Sequence, residues 1–206
     1  MKTCIRIFLL TLTIFSSNIF ADHIEGVDPV SLVEDTTAHI FANVAENLEH
    51  FSANPETLQT LVRTDLMPLL DVDYAARLVL GRAGRGLEKE KIDEFSMCMS
   101  ELLISRYSKG LLYFGGETKL QVLPQRGELN EKLTRVRTRV TLPNGSVAPV
   151  DYAFHKTADG WKAFDVIVEG ISYITTYRNQ IMPDVQANGI DSVLARLGSG
   201  DMELAE

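Results

Sequence analysis

The stretch KLTRVRTRVTLPNGSVAPVDYAFHKTADGWKAFDVIVEG, residues 132–170, decides the fold. Apolar and polar side chains alternate along it with period two, the mark of half-buried strands. Pro143-Asn144-Gly145-Ser146 interrupts the alternation once, and Asn-Gly is the pair that a two-residue hairpin turn prefers. Ala158-Asp159-Gly160 interrupts it again. The pieces between read as strands at Lys132–Leu142, Val147–His155 and Trp161–Glu169, and Thr118–Leu123 adds another just upstream. Successive strands joined by such short turns form an antiparallel meander.

Alternation sorts these residues by face. Val136, Val140, Val150, Tyr152, Phe154, Phe164, Val166 and Val168 share an apolar face. Arg135, Arg137, Arg139, Asp151, Ala153, His155, Trp161, Asp165 and Ile167 share the other. A helix pair is expected over the apolar side. Either a filled core or an open apolar cavity satisfies this pattern.

Outward from the strands the period changes. Ser31–Phe51 places Leu32, Ile40, Val44 and Leu48 at helical spacing. Asn54-Pro55-Glu56 starts a second helix through Leu66. Asp71 caps a third that Gly81 stops. Glu88 to about Tyr113 is a long amphipathic helix with the stripe Ile92, Phe95, Met99, Leu102, Leu103, Tyr107 and Leu111. After Gly170, Ser172 caps a helix through about Ala187, Asn188-Gly189 ends it, and Asp191–Leu197 forms a last short one. Helices segregated from a meander make an α+β domain.

The chain has 206 residues, 45% apolar and 23% charged, which suits one globular domain. Lys and Arg number 20 against 28 Asp and Glu, for a net charge of -8, the opposite of a nucleic-acid footprint. Lys2 and Arg6 precede the apolar run Ile7–Phe15, and Ile19-Phe20-Ala21 offers a cleavage site before Asp22, so residues 1–21 read as an export signal. The run is too short to span a bilayer, which takes about 20 residues. Residues 22–200 are read as a single domain and 201–206 as a polar tail. Only Cys98 remains beyond the signal, so no disulfide forms within the mature chain.

Short motifs add little. The glycines of Gly81–Gly86 follow a helix rather than a strand and read as a connection, not a phosphate loop. His23, His39, His50 and His155 lack metal-helix spacing, and Cys98 reads as an inert thiol on the long helix. Asp151 and Asp165 fall on the charged face, away from the expected cavity, which argues against proton-transfer chemistry. Arg135, Arg137 and Arg139 either pair with them across strands or meet an acidic partner surface.

Two longer blocks carry more. Asp165-Val166-Ile167-Val168-Glu169-Gly170-Ile171-Ser172 with Ile174-Thr175-Thr176, Tyr177-Arg178-Asn179-Gln180 and Gly189-Ile190-Asp191 resembles the strand-to-helix junction of the MlaC family. Asp73-Tyr74-Ala75-Ala76-Arg77-Leu78-Val79-Leu80-Gly81 is similar to that family's other signature. The stretch Arg82-Ala83-Gly84-Arg85 lacks the aromatic residue that many relatives carry there.

The resemblance implies a curved antiparallel sheet of four to five strands, like the nuclear-transport-factor cone, with a helical subdomain and an apolar cavity between them. It implies a periplasmic phospholipid carrier, not an enzyme, with bound phospholipid as cargo and no cofactor or metal. Its partners would be an MlaD-like subunit of an inner-membrane ABC transporter complex and an MlaA-like outer-membrane lipoprotein–porin complex. The shuttle would maintain outer-membrane lipid asymmetry, and a monomer is expected because its surfaces must be free.

Face alternation and helix stripes then nominate the cavity wall: Val136, Val140, Val150, Tyr152, Phe154, Phe164, Val166 and Val168 from the sheet, and Val79, Tyr107, Leu111 and Tyr177 from helices. Each is equally a candidate for ordinary core. A filled-core periplasmic adaptor and an isomerase-like enzyme on a similar cone are the alternatives to a carrier.

Overall fold

The computed structural model describes residues 26–114, 118–124 and 130–202. The export signal expected over 1–21 lies outside the described residues. Seven α-helices and five strands are described: α1 (Pro29–Glu46), α2 (Leu48–Ala53), α3 (Pro55–Leu61), α4 (Val72–Leu80), α5 (Lys89–Tyr107), β1 (Lys119–Val122), β2 (Leu133–Thr141), β3 (Val147–Thr157), β4 (Gly160–Val168), β5 (Ile171–Ser172), α6 (Tyr173–Asn188) and α7 (Ile190–Ser199). The sheet order is β1-β2-β3-β4-β5, every neighbouring pair antiparallel. The expected α+β meander is therefore the fold.

Local chemistry sets most element ends. Asp28 caps α1, its Oδ1 accepting from the amides of Val30 (2.9 Å) and Ser31 (3.2 Å), so the helix starts at Pro29, two residues before the expected start. The first helix also breaks at Asn47. Asp71 caps α4 through the Tyr74 amide at 2.9 Å, and Gly81 ends it at φ +52°, a conformation glycine takes readily. Ser172 caps α6 through the Thr175 amide at 3.0 Å.

Three apolar clusters result. The largest joins α4, α5, α6 and α7 around Leu80, Phe95, Ile181 and Val193. A second sets Leu32 and Val33 of α1 against Val136, Phe154 and Ala163 of the sheet. A third unites α1, α2 and α3 around Val44, Phe51 and Leu58. One helix, not a pair, thus lies over the apolar face. The α4–α6 layer instead reaches the sheet along β4 and β5.

Further expectations need correction. The long helix stops at Tyr107, and Ser108–Phe114 winds into a tighter 3-10 turn containing Gly110. The change of pitch takes Leu111 off the α5 stripe and packs it with the third cluster. Between β3 and β4 the pairing runs Ala153↔Asp165 and then Phe154↔Ala163, which leaves Phe164 as an extra residue, a β-bulge. Beyond it the faces exchange: Ala163 and Trp161 join Phe154's apolar side, while Phe164 turns to the side of His155. Finally, Met202, assigned to a polar tail, is buried against the helical cluster.

The bulge also shapes the joint between layers. It leaves the Ala163 carbonyl on the outer edge of β4, where the Asp71 amide donates to it at 2.8 Å. His155 Nε2 lies 2.8 Å from Asp71 Oδ2 and must carry the hydrogen, because an ionised carboxylate only accepts. Replacing Asp71 with Ala removes a cap and a half-buried hydrogen bond, and is expected to lower stability by about 2 kcal/mol in urea unfolding. Asp71→Asn keeps the capping oxygen and is expected to lose about half as much. A loss below about 0.5 kcal/mol for the Ala variant would contradict the joint described.

Candidate functional site

An apolar cavity of about 120 Å³ lies where α4, α5 and α6 approach β4. Leu70, Ala75, Ala76 and Val79 form one wall, Met99 and Leu103 of α5 the back, and Val166, Ile174 and Tyr177 the opposite side. Two aspartates border it, and both are engaged in hydrogen bonds. Asp165 accepts from Ser172 Oγ at 2.5 Å and from the Ile174 amide at 3.1 Å, while Asp71 is held as described above. Asp165 was expected to lie away from the cavity; it keeps the side of Ala153 and His155 that alternation gave it, and it lies at the rim because α4 and α6 pack on that side.

The two blocks that carry the family resemblance meet here. Asp73–Gly81 supplies Ala75, Ala76 and Val79, and Asp165–Gln180 supplies Val166, Ile174 and Tyr177. Small alanines on α4 let its backbone come close to β4 and α6, which is what leaves a gap rather than a clash.

Of the twelve nominated residues, Val79, Phe164, Val166 and Tyr177 line this cavity. Phe164 does so from the bulge and not from the sheet's apolar face; its ring stands edge-on to Tyr74 (5.1 Å) and His155 (5.6 Å). Tyr107 sits behind the wall, its hydroxyl 2.6 Å from that of Tyr177. Val136, Tyr152 and Phe154 belong to the layer under α1, and Val140 is buried on the same face. Val150 and Val168 pair across β3 and β4, half-buried. Leu111 lies with α1 and α3. Sequence reading did not nominate Leu70, Ala75, Ala76, Met99, Leu103 or Ile174; Met99 and Leu103 were read only as part of the α5 stripe, and Leu70 reaches the wall through its bridge to Ala163 and the neighbouring Asp71 amide bond.

The polar groups of this interior are quiet. Thr138, fully buried on the apolar face, donates to the Val150 carbonyl at 2.6 Å. Burial pushes the Tyr152 phenol up to about 12. Burial and, next, the hydrogen bond between its hydroxyl and that of Tyr107 push that of Tyr177 up as well. Among the described residues there is no group of three or more His, Cys, Asp or Glu side chains placed to hold a metal ion, and no helix is long and apolar enough to cross a membrane.

These phenols tie stability to alkaline pH. Their folded values lie above the unfolded one of about 10, so their contribution is intact below that pH and is lost as pH rises toward 12. Stability is therefore expected to decline from about pH 10. Tyr152→Phe should make that decline shallower in denaturant titrations across the range. An unchanged slope would mean that Tyr152 ionises like an exposed phenol.

Comparison with known proteins agrees with this architecture. The profile of the MlaC protein family matches residues 34–199. The chain is 23% identical over 194 residues to the intermembrane phospholipid transport system binding protein MlaC of Haemophilus influenzae, covering 92% of this chain and 89% of that one. It is 27% identical over 164 residues to the toluene tolerance protein ttg2D of Pseudomonas putida, covering 79% and 75%. Its fold is similar to that of a phospholipid-binding protein from Ralstonia solanacearum solved in complex with a phospholipid, with a TM-score of 0.78 at 22% identity over 87% of this chain and all of the other. With the profile spanning nearly all of the described fold, the chain belongs to the MlaC family.

Proposed function

We propose that this protein is a periplasmic phospholipid carrier. The observation that carries the reading is the apolar cavity between the helical layer and β4, built from the two family-signature blocks and free of any disengaged acid or base. Relatives named for intermembrane phospholipid transport and toluene tolerance support it.

The physics suits the task. Two acyl tails of 16 carbons hold about 30 methylenes, and at ~0.8 kcal/mol each their exposure to water costs on the order of 20 kcal/mol. A carrier removes that barrier by offering hydrocarbon-like walls. It must also give the lipid up, so its grip has to stay near that of a bilayer. Tail burial ignores the head group, which predicts tolerance for several head-group chemistries.

Volume sets a further condition. A methylene fills close to the ~30 Å³ of a water molecule, so two tails need on the order of 900 Å³. The cavity of about 120 Å³ holds only a few methylenes. Loading therefore requires α4 and α6 to part from β4, where their attachment to the sheet is concentrated.

The lipid would pass between an outer-membrane lipoprotein–porin complex and an inner-membrane ABC transporter, which keeps the outer membrane asymmetric. The net charge of -8 disfavours adhesion to anionic bilayers, so protein docking would supply the address. The carrier would work as an exported monomer, with phospholipid as cargo and no cofactor.

Native mass spectrometry of protein purified without detergent tests this, with lipid extraction of the same sample. Stoichiometric phospholipid is expected. Val166→Glu sets a carboxylate in the cavity wall and should lower retained lipid severalfold while the fold persists. A lipid-free wild-type protein that also takes none from liposomes would overturn the carrier reading. Wild-type lipid content in folded Val166→Glu would remove this cavity from the lipid path.

A further inference from the structure

The outer face of β1 and β2 carries charge opposite to that of the chain. Arg135, Arg137 and Arg139 occupy every second position of β2, and Gln121 and Lys119 of β1 stand beside Arg139 and Thr141 on the same face. Strand geometry spaces their Cα atoms in steps of about 7 Å. The other face of the same strand, with Val136, Thr138 and Val140, is buried. Among the described residues, α1 is the helix that packs on β2, and it does so on that buried side.

Little neutralises this row. Arg135 lies 3.7 Å from Asp151 and remains more than half exposed. Arg137 donates to the Pro124 carbonyl at 2.6 Å, which orients it without cancelling its charge. Arg139 and Lys119 are exposed, and among the described residues neither has an ion-pair partner. Apolar side chains flank the row: Leu133 is 46% exposed at one end and Val147 52% at the other, with exposed Pro149 opposite Arg139.

We propose that this face docks a protein partner through an acidic surface. Charge complementarity argues for it. A chain of net charge -8 repels acidic surfaces everywhere except where its cations are gathered, so a partner approaching at this face is selected and oriented. The mixture of arginine with exposed leucine and valine is the composition of a protein interface, because arginine makes paired hydrogen bonds to carboxylates while the apolar groups exclude water. A bilayer surface instead meets the field of the whole acidic molecule. The inference rests on the carrier reading in one respect, that a shuttle must recognise proteins at its stops.

The test uses the exported protein and a fluorescein-labelled poly-L-glutamate peptide of about 20 residues, read by fluorescence anisotropy at low and physiological ionic strength. Wild type is expected to bind, more weakly as salt rises. Arg135→Gln/Arg139→Gln, which leaves the Arg137 contact in place, should weaken binding about tenfold. An equal change of net charge at exposed ion pairs elsewhere, Lys89→Gln/Lys91→Gln, should alter it by less than about twofold. Absence of wild-type binding, or equal losses in both variants, overturns the proposal. So does binding to phosphatidylglycerol vesicles that depends on Arg135 and Arg139, which would make the face a membrane contact. Dimerisation lost in the same variant, seen by sedimentation, would make the occupant a second copy and overturn it likewise. Bound lipid is measured on the same samples. Peptide binding by a protein that carries no lipid and takes none from liposomes would sink the carrier reading and leave this surface standing.

Discussion

Asp71 is the joint on which the two layers turn. Its amide bonds to the Ala163 carbonyl of β4, one carboxylate oxygen caps α4, and the other meets His155 of β3. One residue thus fixes where the first cavity-lining helix begins and how that helix sits on the sheet. The stacked ring of Tyr74, centred 4.2 Å from that of His155, covers the contact. Both carboxylate oxygens are thus spent on holding the two layers together.

The bulge in β4 makes the joint possible. An unbroken ladder would point Phe164 toward α1 and leave the Ala163 carbonyl in ordinary strand geometry. The inserted residue bends the strand, sends Phe164 to the helical side, and gives Ala163 to the layer under α1. Ala163 is small enough for Leu70 and Asp71 to pass close by. The cavity survives because the elements around it are separately stabilised. The helical cluster has its own fully buried residues in Phe95, Ile181 and Val193, and α1 packs on the sheet without them. Interfaces between independent cores are where a space opens at least cost, which is the property a lipid carrier needs.

The meander, its two tight turns and the division of faces on β2 and β3 were legible in the sequence, since period-two alternation and Asn-Gly chemistry act locally. The caps Asp71 and Ser172 were legible for the same reason. Val79, Val166 and Tyr177 were found because they lie on regular stripes or faces within the family-signature blocks. Phe164 reached the cavity by a route that alternation did not foresee, and Leu111 was misplaced because the helix tightens after Tyr107. Leu70, Ala75, Ala76, Met99, Leu103 and Ile174 were not nominated for the wall, as contacts between segments far apart in the chain leave no periodic trace.

By itself, the sequence determined the order of helices and strands, the apolar and charged sides of β2 and β3, and the family, because each of these is written in local spacing or in contiguous motifs. Only the tertiary structure decided which apolar residues face a space and which face one another. That depends on where β4 bulges, how closely α4 approaches it, and which of three cores each side chain joins, and all three are settled by packing between residues about ninety positions apart, as with Asp71 and Ala163.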